Sequence, residues 1–256
     1  MHERRRALSF AEGLAAACSE LLGDLLVAVI LHGSLVFGSY TPDRSDIDLL
    51  VVVKRRLGDD VLAALEGLVV GRQAIAPSGV DFRVVTRPVA SSPTRSPAME
   101  LYVGWRAQEA PEIEKRIAGE PDLVAEFSMV RADGRSLVGD EPRSVVGAVP
   151  DEWVVAYGDE IIARWQGLTD DAEHAELMVL TTCRVWRFAV EGVYCSKAEA
   201  GQWALARDPS LVAVEAAPGQ RAGEPDQRVE PHDIGHLLAL VRAEIAPQVT
   251  SLIRRQ

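Results

Sequence analysis

Lysine is scarce in this sequence: Lys54, Lys115 and Lys197 are the only three, against 27 basic residues in all. Positive charge as a whole is also short, with 38 acidic residues and a formal net charge of −11. Duplex nucleic acid is thereby excluded as the main partner, because neutralising phosphates takes a basic surface. The same field draws in cationic molecules of polyamine or amino-sugar type. Cysteine is scarce too. Cys18, Cys183 and Cys195 are odd in number and lack metal-ligand spacing, so they read as reduced, mostly buried thiols. No apolar run approaches the length of a membrane span, and residues 1–6 (MHERRR) lead into an amphipathic helix rather than a signal-peptide core. A cytoplasmic protein without a membrane partner is expected. Repeats and low-complexity tracts are absent.

What is present is a chain of 256 residues, 48% hydrophobic and 25% charged, enough for one large or two small soluble domains. Its organising stretch is LHGSLVFGSYTPDRSDIDLLVVV, residues 31–53. An apolar strand over 25–31 runs into a Gly33-Ser34 turn, and a second strand follows over 47–53. Side chains alternate along a strand, so Asp46 and Asp48 project from one face. Two carboxylates that close repel unless a cation sits between them, and Mg²⁺ is the hard ion that also carries phosphates. Ser34 lies twelve residues before Asp46. Glycine admits close backbone approach, and the free N–H groups of such a turn form an anion nest. A phosphate nest beside a pair of metal-binding acids describes nucleotidyl transfer. The stretch resembles the signature of the polymerase-β-like nucleotidyltransferases: apolar strand, Gly-Ser, then Asp-x-Asp on the next strand.

In chain order, residues 7–24 carry apolar positions three and four apart and predict a helix on the sheet. A second helix is predicted after Asp59-Asp60, and a strand over 80–86 (VDFRVVT). On that strand Val80, Phe82 and Val84 face one way, Asp81 and Arg83 the other. Asp81 is a third candidate carboxylate, able to ligate a second metal or take a proton from an attacking hydroxyl. Without the opening motif, Asp81 and Arg83 would read as an ion pair on a solvated strand face. The segment 109–120, EAPEIEKRIAGE, reads as helical, and Pro121 starts another short helix. Beyond about residue 149 only helices are predicted, over 151–166, 172–191, 196–207 and 232–254. A kink is expected at Pro247 and a long surface loop over 218–233. Leu177, Leu180, Arg184 and Phe188 share a stripe of the second of these helices. A guanidinium there calls for an anion: a bound triphosphate, or a core carboxylate such as Glu160 or Glu191.

A closer resemblance covers nearly the whole chain. GSxxxG followed by SDIDLLVVV, then LTTCRVWRFAVEGVYCSK followed by WAL, look like the aminoglycoside (3'')(9)-adenylyltransferases, which modify streptomycin and spectinomycin. The resemblance implies an α+β protein: a polymerase-β-like nucleotidyltransferase domain over 1–149, with a mixed sheet and flanking helices, then an α-helical bundle over 150–256. The site is expected between the two. By this resemblance Gly33, Ser34, Ser45, Asp46 and Asp48 bind ATP phosphates and two Mg²⁺ ions. Asp81 stands where the family has its glutamate base, and as a third metal ligand.

Arg184 and Lys197, thirteen residues apart as in the family, bind phosphate, and Asp122 touches ATP. Trp165 and Asp170 match residues of members that accept streptomycin, Trp105 matches a further pocket tryptophan, and His174 falls where the family has an acid. Read without the family, Trp165 is core packing and Asp170 a charge near a helix N-terminus. The implied activity is Mg-dependent transfer of AMP from ATP to an antibiotic hydroxyl, with release of pyrophosphate. The implied partner is a small cationic antibiotic, and a monomer is expected.

Overall fold

The computed structural model describes residues 2–42, 44–106, 109–222 and 228–253, the side chains of 220–222 and 250–253 excepted. The chain folds as two compact units, Met1–Val149 and Pro150–Gln256.

The first unit is built on a six-stranded mixed sheet. Its elements in order are α1 (His2–Leu22), β1 (Leu26–His32), α2 (Ser34–Phe37), β2 (Ile47–Val53), α3 (Asp59–Val70), β3 (Val80–Thr86), α4 (Arg87–Ser91), β4 (Met99–Trp105), β5 (Glu112–Ile117), α5 (Leu123–Asp133), β6 (Arg135–Gly139) and α6 (Pro142–Val145). The strand order is β5-β4-β3-β2-β1-β6. Only β2 and β3 run parallel, and the helix α3 between them makes that crossover. The other neighbours are antiparallel.

The two faces of the sheet are made by alternation. Ile47, Leu49, Val51 and Val53 of β2 join Val80, Phe82 and Val84 of β3 in one core cluster. The same cluster contains Ala7, Ala11, Leu14 and Cys18 of α1 and Leu62, Leu65 and Val69 of α3. Each large side chain fully removed from water here contributes about 1.5–3 kcal/mol. The intervening residues, Asp48, Leu50 and Val52 of β2 and Asp81 and Arg83 of β3, therefore fall on the other face.

Two segments differ from the sequence-based expectation. Residues 109–120 contain the strand β5, not a helix: Ile113 pairs with Val103 and Lys115 with Leu101, and the sheet overrides the helical preference of Glu and Lys. Its charges suit an edge strand, where they discourage pairing with another chain. The strands β4 and β6 also emerge only from pairing. In the second unit, the loop expected over 218–233 is in part helix, since α10 runs through Pro218 to Ala222; residues 223–227 lie outside the described residues.

The second unit holds α7 (Asp151–Trp165), α8 (Ala175–Glu191), α9 (Lys197–Arg207), α10 (Val212–Ala222) and α11 (Pro231–Ile253), and no strand among its described residues. Val154, Val155 and Ile162 of α7, Met178, Val179 and Cys183 of α8, and Ile234, Leu237, Leu238 and Val241 of α11 are buried. Pro247 lies inside α11. All three cysteines are free and buried. No helix among the described residues is long and apolar enough to cross a membrane.

Candidate active site

The acidic site forms where β1 ends and β2 and β3 begin, on the face away from α1 and α3. Strand register lines up one row: His32 of β1 opposite Asp48 of β2, and Asp48 opposite Asp81 of β3. Asp46 precedes β2 by one residue and shares the Asp48 side. Each of these two acids, Asp46 and Asp48, closes on a glycine. A Cβ on Gly33 would lie 2.0 Å from Asp48 Oδ2, and one on Gly79 would lie 2.0 Å from Asp46 Oδ1. Gly33 has φ +68° and caps α2, whose Val36 and Phe37 N–H groups bond the Gly33 carbonyl at 3.1 Å. The Ser34 hydroxyl at the start of α2 is buried without a hydrogen-bond partner. The Ser45 hydroxyl accepts the Thr41 N–H at 3.0 Å and braces the chain before Asp46.

Asp81 is gripped by its strand neighbour. Arg83 donates through Nε to Asp81 Oδ1 at 2.7 Å and through Nη2 to Oδ2 at 3.2 Å. Its Nη1 reaches Asp122 Oδ2 at 2.6 Å and Glu126 Oε2 at 3.0 Å. The guanidinium also stands 5.4 Å from the centroid of the Tyr102 ring, across the strand pair. His32 Nε2 lies 3.3 Å from the other Glu126 oxygen, within ion-pair range but without hydrogen-bond geometry. His32 and Glu126 were not singled out from the sequence. The available signals were the histidine abutting Gly33-Ser34 and the Asp122/Glu126 spacing of four, one turn of α5.

These neighbours set the protonation of the site. Burial pushes the Asp48 carboxyl up to about 7; His32 opposes this, while Asp81, Asp46 and Glu126 add to it. Burial likewise takes Asp122 up to about 6 against the pull of Arg83. For Glu126, burial is outweighed by Arg83 and His32, and its carboxyl is held below the usual range. For His32, burial is outweighed by Glu126, Asp48 and Asp81, and the imidazole is held above its usual range. The surplus of negative charge sits at Asp46, Asp48 and Asp81. Among the described residues no three His, Cys, Asp or Glu side chains form a metal-holding group. The carboxylates of Asp46 and Asp48 supply oxygen donors of the kind a hard divalent cation takes, and Arg83 holds both oxygens of Asp81.

Trp105 is 5% exposed and belongs to the core cluster. It pairs with Val80, so alternation sends its ring to the face opposite Asp81.

In the helical unit, Trp165 is the last residue of α7 and half-buried, and Asp170 is exposed in the turn that follows. His174 sits at the N-cap of α8, with Nδ1 2.8 Å from Asp171 Oδ2. The buried stripe of α8 runs through Ala175, Met178, Val179, Thr182, Cys183 and Trp186. Leu180 and Phe188, four residues to either side of Arg184, are buried as well, and Arg184 between them is half-buried. Glu191, one of the carboxylates considered for Arg184, is bonded to Arg187 at 3.0 Å and to the Trp203 indole N–H at 2.6 Å. Lys197 opens α9, directly after Ser196, whose capping box with Glu199 fixes the helix start.

The sequence model of the nucleotidyltransferase domain family matches residues 12–133, and that of the aminoglycoside adenylyltransferase C-terminal domain matches residues 144–218. The aminoglycoside (3'') (9) adenylyltransferases of Klebsiella pneumoniae and Shigella flexneri are each 31% identical over 202 residues, covering 74% of this chain and 74% of theirs. The chain belongs to the aminoglycoside (3'') (9) adenylyltransferase family.

As an aminoglycoside adenylyltransferase it is an enzyme of nucleotidyl transfer, and its mixed sheet is the polymerase-β-like nucleotidyltransferase fold, followed by the helical C-terminal region of that family. The crystal structure of spectinomycin adenyltransferase AAD(9) from Enterococcus faecialis, described with ATP and spectinomycin, shares this fold. Its TM-score is 0.71 at 15% identity, over 91% of this chain and 99% of that one.

Proposed function

We propose that this adenylyltransferase transfers AMP from ATP to a hydroxyl of a streptomycin- or spectinomycin-type antibiotic and releases pyrophosphate. The observation that carries this reading is the in-register pair Asp48 and Asp81 beside the Gly33 turn, where the Ser34 hydroxyl is buried and unpartnered. The nucleotide phosphates would meet that turn, whose backbone N–H groups make an anion nest. Asp46 and Asp48 would hold Mg²⁺, which when bound offsets charge on the triphosphate and the departing pyrophosphate. Asp81, the third acid named for the metal, would have to release Arg83 to join them.

In the transfer itself, the acceptor hydroxyl gives its proton to Asp81 as its oxygen bonds the α-phosphorus. The bond from that phosphorus to the bridging oxygen breaks, and the electron pair leaves with pyrophosphate. Arg184 and Lys197 are assigned to the phosphates, and Asp122 to the nucleotide. Trp165, Asp170 and His174 are assigned to the antibiotic, whose positive charges suit the acidic turn 169–173.

A pyrophosphate-release screen across aminoglycosides and nucleoside triphosphates tests the reading. Release is expected with ATP plus streptomycin or spectinomycin, and its loss in Asp48→Asn. Release that ignores the antibiotic, or that survives Asp48→Asn, overturns it.

A further inference from the structure

Asp81 and Arg83 do more than neutralise one another. A single ion pair needs one carboxylate, yet Arg83 collects three, from β3 and α5. The cluster is graded in depth. The side chains of Arg83 and Glu126 are 12% and 9% exposed, whereas those of Asp81 and Asp122 are 25% and 32% exposed. Glu126, with His32 behind it, anchors the guanidinium from inside, and the fork of Arg83 presents Asp81 at the rim, in the row of Asp48. The fork engages both Asp81 oxygens and so removes rotation of the carboxylate. It uses two of about four lone-pair positions, which leaves the others free to accept a proton.

We propose that Arg83 is a positioning residue for the transfer reaction: anchored by Glu126 and Asp122, it fixes the orientation of the proton-accepting carboxylate of Asp81 beside Asp48. This rests on the role of Asp81 as proton acceptor under the proposed function. Arg83 cannot itself take the proton, because a guanidinium stays charged. Lysine cannot replace it, because an ammonium is a point charge without the fork.

The test is a double-mutant cycle read by steady-state kinetics. Arg83→Lys should lower kcat about 100-fold, the scale of a small misplacement of a reacting group, while KM for ATP stays within about threefold. In an Asp81→Asn background the same change should alter kcat less than about threefold, since no oriented base remains to lose. Equal fold-losses in both backgrounds would mean a structural role and overturn the inference, as would wild-type kcat in Arg83→Lys. If Arg83→Lys does not fold, Arg83→Gln/Glu126→Gln removes both buried charges together and should show the same dependence on Asp81. Full turnover in Asp81→Asn alone would instead remove the reading of Asp81, and this inference with it.

Discussion

Asp48 fills the space that a side chain on Gly33 would need: a Cβ there would stand 2.0 Å from Asp48 Oδ2. The glycine is required twice over, because φ +68° with ψ −147° is backbone that other residues rarely adopt. Gly33→Ala should cost about 1–3 kcal/mol from backbone strain alone and should displace Asp48. Thermal unfolding and turnover check this together. Unchanged turnover in a folded Gly33→Ala enzyme would show that the close approach of turn and carboxylate is dispensable.

Asp48 makes stability depend on pH in a defined direction. Its folded carboxyl titrates near 7 against an ordinary 3.8, so ionising it opposes folding. That cost is absent below about pH 4, grows between there and about 7, and is fully present above. In EDTA, Asp48→Asn should therefore melt above the wild type at pH 8, with the difference shrinking towards pH 4. Calorimetric scans across that range measure it. A variant that melts below the wild type at pH 8 would show that the buried charge is better compensated than burial and its acidic neighbours imply.

Under the proposed function, Trp165 and Asp170 should separate the two antibiotics. Trp165→Ala and Asp170→Ala should raise KM for streptomycin about tenfold or more, the value of one lost charge-assisted contact, while leaving spectinomycin within about twofold. Equal losses for both substrates would count against a streptomycin-specific role.

Ser196 caps the helix that Lys197 opens, so under the proposed function one substitution should touch both stability and nucleotide binding. Its hydroxyl accepts the Glu199 N–H at 3.2 Å, and Glu199 accepts the Ser196 N–H at 2.9 Å. Ser196→Ala should lower stability by about 1 kcal/mol, as loss of a helix cap does. Because Lys197 is the next residue, KM for ATP should rise as well. Urea unfolding measures the first effect and pyrophosphate-release kinetics the second. A stability loss with unchanged KM would detach Lys197 from the nucleotide.

The sequence by itself determined what is local and periodic. A short apolar run named β2, alternation along residues 80–86 named β3 and put Asp81 and Arg83 on one face, and the spacing of Gly33-Ser34 to Asp46 and Asp48 named the chemistry. What it could not decide depends on partners far along the chain. Residues 112–117 are a strand because β4 offers them an edge. Trp105 is core because its register partner is Val80, and its own neighbours carry no trace of that. Likewise, Asp81 is bound by Arg83, with Asp122 and Glu126 joining from α5, because tertiary packing lays that helix over the strand ends. Local pattern fixes which way a side chain points; only the assembled sheet and helices fix what it meets.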